Sequence, residues 1–207
     1  MRTRVKICGF TREEDAVYAA RLGVDAIGLV FYPPSPRNIN LDKASAIIEA
    51  LPAFVTVVAL FVDAGEERIR EVLDRLPVDC LQFHGDETPA QCRIYGKPYM
   101  KAIRMKENVD MAGIVRQYHD ASALLLDAYH PGLKGGSGNG FDWSLIPRDC
   151  ALPIVLAGGL TPDNAPRAIA EVRPYALDVS SGVESEKGIK DAAKMAAFIQ
   201  KTNQAIN

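Results

Sequence analysis

Charge of one sign, long apolar runs, histidine and paired cysteines are all scarce in this chain. Its 24 lysines and arginines nearly cancel 26 aspartates and glutamates. No basic face or arm stands out, which argues against nucleic acid and other polyanions as partners. The apolar stretch Val55–Val62 is too short to span a bilayer. Met1-Arg-Thr-Arg-Val-Lys has no apolar segment behind its basic residues, so no export signal is read there. These absences point to a cytoplasmic protein without a membrane partner. The three histidines, at 84, 119 and 130, do not form a metal set, and Cys8, Cys80, Cys92 and Cys150 include no C-x-x-C pair. Zinc knuckles and dithiol redox motifs are thereby set aside, no metal is implied, and reduced thiols are expected.

What the chain does have is regular alternation. Short β-branched runs begin near Val5, Ala26, Thr56, Cys80, Tyr99, Ala123, Pro153 and Ala176, separated by amphipathic stretches about one βα unit long. Thr11 is a candidate cap, with Glu14 in the capping-box position, for a helix ending near Gly23. Asp63-Ala-Gly leads into a helix from Glu66 to Leu76, stopped by Pro77, and Asn108 is placed to cap Val109 to Tyr118. Thr161-Pro162 opens a helix with proline in its first turn. Between strands six and seven the only helical candidate is the short stretch from Phe141 to Ile146, so the sixth unit reads as degenerate. No linker divides the chain. Eight sequential units predict a single α/β domain over residues 1–207, a closed (β/α)8 TIM barrel, with an open doubly wound sheet as the alternative.

Closure has a consequence that parity makes testable. Val5 and Ile7 suit the helix layer, which turns Lys6 and Cys8 inward; Leu177 and Val179 likewise turn Asp178 and Ser180 inward. In a barrel the first and last strands are neighbours, so Lys6 and Asp178 should pair inside it. Gln82 and His84 share one face of strand four, and Leu125 and Asp127 share one face of strand six. Polar residues thus gather at the carboxyl ends of the strands, where such barrels carry their chemistry.

Each candidate also has an ordinary structural role. Cys8 packs well as a small buried hydrophobe, but Lys6 on the same face could favour its thiolate. Asp127 could cap the following loop, or pair with Cys8 as acid and base across a substrate. Arg37, in Ser35-Pro36-Arg37, is either a surface arginine or a bidentate carboxylate clamp at the same mouth. His84 alone reads as a packing or loop-bonding residue. The segment from Pro131 to Gly140 lacks both the dinucleotide fingerprint and the P-loop ending and is better read as a flexible active-site loop. Gly158-Gly159 and Ser180-Ser181-Gly182 are individually turns, yet they follow strands seven and eight, where barrels often hold a phosphate on backbone N–H groups.

Lys-Ile-Cys-Gly-Phe-Thr (6–11), Phe-Tyr-Pro-Pro-Ser-Pro-Arg (31–37), Gln-Phe-His-Gly-Asp-Glu (82–87), Leu-Leu-Leu-Asp (124–127), Gly-Gly-Ser-Gly with Phe-Asp-Trp (135–143), Leu-Ala-Gly-Gly-Leu (156–160) and Asp-Val-Ser-Ser-Gly-Val-Glu (178–184) together resemble the N-(5′-phosphoribosyl)anthranilate isomerases of tryptophan biosynthesis. The likeness runs in order along almost the whole chain. It implies an Amadori rearrangement of a small phosphorylated aminoaldose to an aminoketose, with neither redox cofactor nor metal. By this resemblance Asp127 is the general acid at the furanose ring oxygen and Cys8 the base at C2′. Arg37 holds the anthranilate carboxylate and His84 contacts substrate. Gly158, Gly159, Ser180, Ser181 and Gly182 bind phosphate, with Asp178 beneath them. Ala128, Asn139 and the stretch from Glu184 to Lys190 depart from the family pattern. Two other readings are a non-catalytic phospholigand-binding barrel and a histidine-pathway aminoaldose isomerase. The first sits poorly with both Cys8 and Asp127 being present; the second would be expected to use paired aspartates and a second phosphate site. No oligomeric partner is indicated.

Overall fold

The computed structural model describes residues 2–106, 109–127, 143–147 and 149–205. Parallel strands β1 (Arg4–Cys8), β2 (Ala26–Val30), β3 (Thr56–Phe61), β4 (Cys80–Phe83), β5 (Tyr99–Arg104), β6 (Ala123–Asp127), β7 (Ile154–Ala157) and β8 (Ala176–Val179) close in chain order. Each start lies within one residue of its expected position. The open-sheet alternative fails because β1 pairs with β8 as well as β2, with Lys6 in register with Asp178.

Helices α1 (Glu13–Arg21), α2 (Leu41–Ala50), α3 (Glu66–Arg75), α4 (Pro89–Arg93), α5 (Met111–Gln117), α6 (Ala165–Val172) and α7 (Ala192–Gln204) cover the barrel. Between β6 and β7 the described helical turn is a 3₁₀ turn at Trp143–Leu145, as the degenerate sixth unit implies. A short hairpin, β9 (Glu184–Glu186) with β10 (Ile189–Lys190), follows β8.

Several helix starts differ from expectation. Thr11 does not cap α1: its hydroxyl donates to the Gly188 carbonyl, Arg12 occupies the cap position, and no side-chain cap bond forms. Glu14 therefore completes no capping box. With Glu13 and Asp15 it supplies negative charge to the first turn, which favours the helix dipole. Asn108 lies outside the described residues, and Asp110 caps α5 by accepting from the Gly113 amide. Thr161-Pro162 precedes rather than opens α6. Thr161 to Asn164 form a turn closed by their own side chains, and Pro166 is the proline in the first helical turn.

Parity sets the layers. Val5, Ile7, Leu177 and Val179 join Phe10, Phe61, Phe83 and Phe198 in the apolar shell between strands and helices. A fully buried side chain of this size contributes about 1.5–3 kcal/mol, so this shell is the main source of stability. Inside the barrel a smaller core of Val58, Met100, Leu125 and Val155 lies separate from a patch of Cys8, Val30 and Leu60.

Candidate active site

The carboxyl ends of the strands surround a cavity of about 480 Å³. Cys8 from the end of β1, Asp127 from the end of β6, Asp178 from β8 and His84 just past β4 all line it. So do Arg37, Gly158, Gly159, Ser180 and Ser181. Gly182 does not. It is pressed against the loop after β7, where a Cβ would stand 1.8 Å from the Leu160 carbonyl oxygen.

Cys8 turns inward because its strand neighbours face the helices. Burial pushes its thiol up; Lys6 pulls it down, Asp178 pushes it up again, and the net direction is upward. Lys6 thus favours the thiolate as expected, but burial outweighs it. The Lys6 ammonium is buried 2.9 Å from Asp178 Oδ2, so the pairing read from parity exists, and the same cation also acts on Cys8.

On the facing wall, His84 Nε2 stands 3.1 Å from Asp127 Oδ2, and His84 Nδ1 stands 3.0 Å from Gln82 Nε2. The β4 alternation that faces Gln82 inward carries His84 to the cavity rim. It gathers three polar side chains from two strands.

Arg37 reaches the mouth by laying its stem over Gly9, where a Cβ would be 2.4 Å from the arginine Cδ. Its Nε and Nη2 each lie 2.7 Å from a Glu184 oxygen. In this structure the bidentate partner is thus a carboxylate of the protein itself. Lys190 continues the network, its buried ammonium donating to Glu184 Oε1 at 2.9 Å, to the Cys8 carbonyl at 2.6 Å and to the Ser180 carbonyl at 3.3 Å. Burial alone would raise the Glu184 carboxyl, but Arg37 and Lys190 together hold it below its ordinary range. Burial draws the Lys190 ammonium downward despite Glu184.

Gly158 and Gly159 have φ of +86° and +66°, left-handed values that favour glycine. They form a side-chain-free rim beside Ser180 and Ser181, which follow the adjacent strand. The Ser180 hydroxyl donates to the Cys8 carbonyl at 2.9 Å, tying this rim to the strand that carries the thiol.

Glu184, Lys190 and Gln82 were not among the site residues picked from sequence. The hairpin signal for the first two was there in Lys187-Gly188 between two short polar runs, and Gly188 has φ +84°. Among the described residues no group of three or more His, Cys, Asp and Glu side chains could hold a metal ion, and no helix is long and apolar enough to cross a membrane. Ala128, Asn139 and the segment from Pro131 to Gly140 lie outside the described residues.

Comparison with known proteins agrees with this geometry. The family model for N-(5′-phosphoribosyl)anthranilate (PRA) isomerase matches residues 5–201. The N-(5′-phosphoribosyl)anthranilate isomerase of Nitrosococcus oceani is 58% identical, over 97% of each chain. The crystal structure of phosphoribosyl anthranilate isomerase from Thermotoga maritima superposes with a TM-score of 0.90 at 41% identity, covering 98% of this chain and 99% of that one. A crystal structure of phosphoribosyl anthranilate isomerase in complex with reduced 1-(o-carboxyphenylamino)-1-deoxyribulose 5-phosphate gives a TM-score of 0.87 at 39% identity, over 98% and 99% of the two chains.

Proposed function

The chain belongs to the N-(5′-phosphoribosyl)anthranilate isomerase family, and from that membership we propose how its residues divide the work of the Amadori rearrangement. It is an aldose–ketose isomerase of tryptophan biosynthesis. Asp127 gives its proton to the furanose ring oxygen of N-(5′-phosphoribosyl)anthranilate. The C1′–O bond breaks, the anthranilate nitrogen lone pair forms an iminium at C1′, and the former ring oxygen becomes a hydroxyl. The iminium acidifies the C2′ hydrogen, so a thiolate is a sufficient base. Cys8 removes that proton, the C–H electrons form C1′=C2′ as the C=N pair returns to nitrogen, and the enolamine tautomerises to the 2′-ketone by losing the 2′-hydroxyl proton and gaining one at C1′. The sum is an isomerisation that needs no co-reactant.

The observation that carries this reading is that Cys8 and Asp127 enter one cavity from well-separated strands. A substrate between them meets base and acid on different sides. Glu184 occupies the Nε–Nη2 edge of Arg37, which leaves the Nη1–Nη2 end of the guanidinium for the anthranilate carboxylate. The phosphate is assigned to the amides and hydroxyls of Gly158, Gly159, Ser180 and Ser181. Gly182 contributes by letting the loops after β7 and β8 approach, and Asp178 lies beneath with Lys6. A non-catalytic phospholigand barrel would have no need of a thiol and a carboxyl facing the same cavity.

The test is the fluorescence of N-(5′-phosphoribosyl)anthranilate, which should decay catalytically when purified protein is added. No decay beyond the buffer rate would remove the assignment.

A further inference from the structure

We propose that Gln82 is a positioning residue, which fixes the tautomer of His84 so that Nε2–H donates to Asp127 Oδ2 and the carboxyl's transferable proton resides on Oδ1. This rests on Asp127 being the general acid.

The roles follow from donor and acceptor chemistry. The Gln82 nitrogen facing the imidazole has only hydrogens to offer. At 3.0 Å from Nδ1 it makes that ring nitrogen an acceptor. Neutral histidine then carries its hydrogen on Nε2, which lies 3.1 Å from Asp127 Oδ2. That oxygen accepts, so a proton on the same carboxyl belongs on the other one. A second proton on the ring would point an N–H at the amide's own N–H.

Two observations support a directed role over simple packing. Gln82 has no exposed surface, so its amide lies inside the barrel shielded from water. Its Oε1 is buried without a hydrogen-bond partner among the described residues, a costly arrangement for a residue present only to fill space. A methionine of similar shape would carry no such orphan, so Gln82→Met is expected to fold.

The experiment reads the ring directly. In ¹⁵N-histidine-labelled enzyme at neutral pH, with His84 assigned by difference against His84→Asn, its two nitrogens should give the Nε2–H pattern. Gln82→Glu, which offers only acceptors when ionised, should turn the ring to Nδ1–H. Gln82→Met should leave a mixed tautomer population and lower kcat by about tenfold, on the scale of orienting partners, with KM changed less than about twofold. A wild-type ring that is Nδ1–H or doubly protonated overturns the proposal. So does Gln82→Met with the wild-type ring pattern, whatever its rate, or with wild-type kcat. The acid assignment is tested separately: if Asp127→Asn turns over normally, that assignment fails while the tautomer spectrum still reports on Gln82.

Discussion

Gly28 and Cys8 occupy one space on adjacent strands: a Cβ on Gly28 would lie 2.6 Å from Cys8 Sγ and 3.0 Å from its Cα. The thiol has room to turn into the cavity because its neighbour has no side chain. Gly28→Ala should displace Sγ by about an ångström and lower kcat by about a hundredfold, the scale expected for misplaced reacting groups. Overpacking should cost only about 1–3 kcal/mol of stability. Steady-state kinetics alongside a denaturant melt check this; unaltered kcat would mean that the close approach has no bearing on the base.

Cys8→Ala and Asp127→Asn should each lower kcat by at least about a hundredfold, the usual contribution of a general acid or base. Both changes are small in volume, so the fold should survive them. Near-normal turnover in either variant would falsify that residue's role.

Arg37→Ala should act mainly on binding. With the guanidinium proposed to hold the anthranilate carboxylate, remote from the bonds that change, KM should rise by about tenfold or more while kcat changes less. Loss of the side chain also leaves Glu184 with Lys190 as its remaining cation among the contacts described. An unchanged KM would count against the carboxylate contact.

Glu184 carries a pH prediction. Burial would raise its carboxyl, but Arg37 and Lys190 outweigh burial and hold it below the ordinary 4.5. A depressed carboxylate contributes stability that is complete above its unfolded value and is lost as pH falls through the lower folded one. Glu184→Gln should therefore be destabilised most near neutrality and show a flatter decline below about pH 4.5. Denaturant midpoints across that range measure it; curves for variant and wild type that stay parallel on the acid side would contradict the pairing.

The strands were legible because β-branched runs and inward polar positions obey a two-residue period, and closure made Lys6 and Asp178 neighbours before any coordinates. Cys8, His84, Asp127, Asp178 and Ser180 followed from the same parity at the strand ends, whereas Arg37, Gly158, Gly159 and Ser181 were read from the loops beyond them. Helix starts were less legible. Thr11 has the chemistry of a cap, yet its hydroxyl is claimed by Gly188, a contact between opposite ends of the chain that no local window contains. The same holds for Arg37 and Glu184, 147 positions apart. Arginine at a cavity mouth suggested a ligand carboxylate, and only the packed hairpin shows that a protein carboxylate reaches it first. Gln82 was visible as inward, but its orphaned oxygen and its hold on His84 depend on distances.

The Lys190 ammonium joins the Cys8 carbonyl across 182 positions, and Lys6 meets Asp178 across 172. The thiol therefore sits at the seam where the first strand meets the last. On a ribosome this strand emerges before the other seven strands of the barrel and waits for all of them before its second neighbour exists. Ordering of Cys8 is thus a late event of biogenesis, coupled to the slowest class of contact the topology contains. A nascent or truncated chain that ends before β8 and the hairpin leaves Cys8 without the strand and the ammonium that hold its backbone in place.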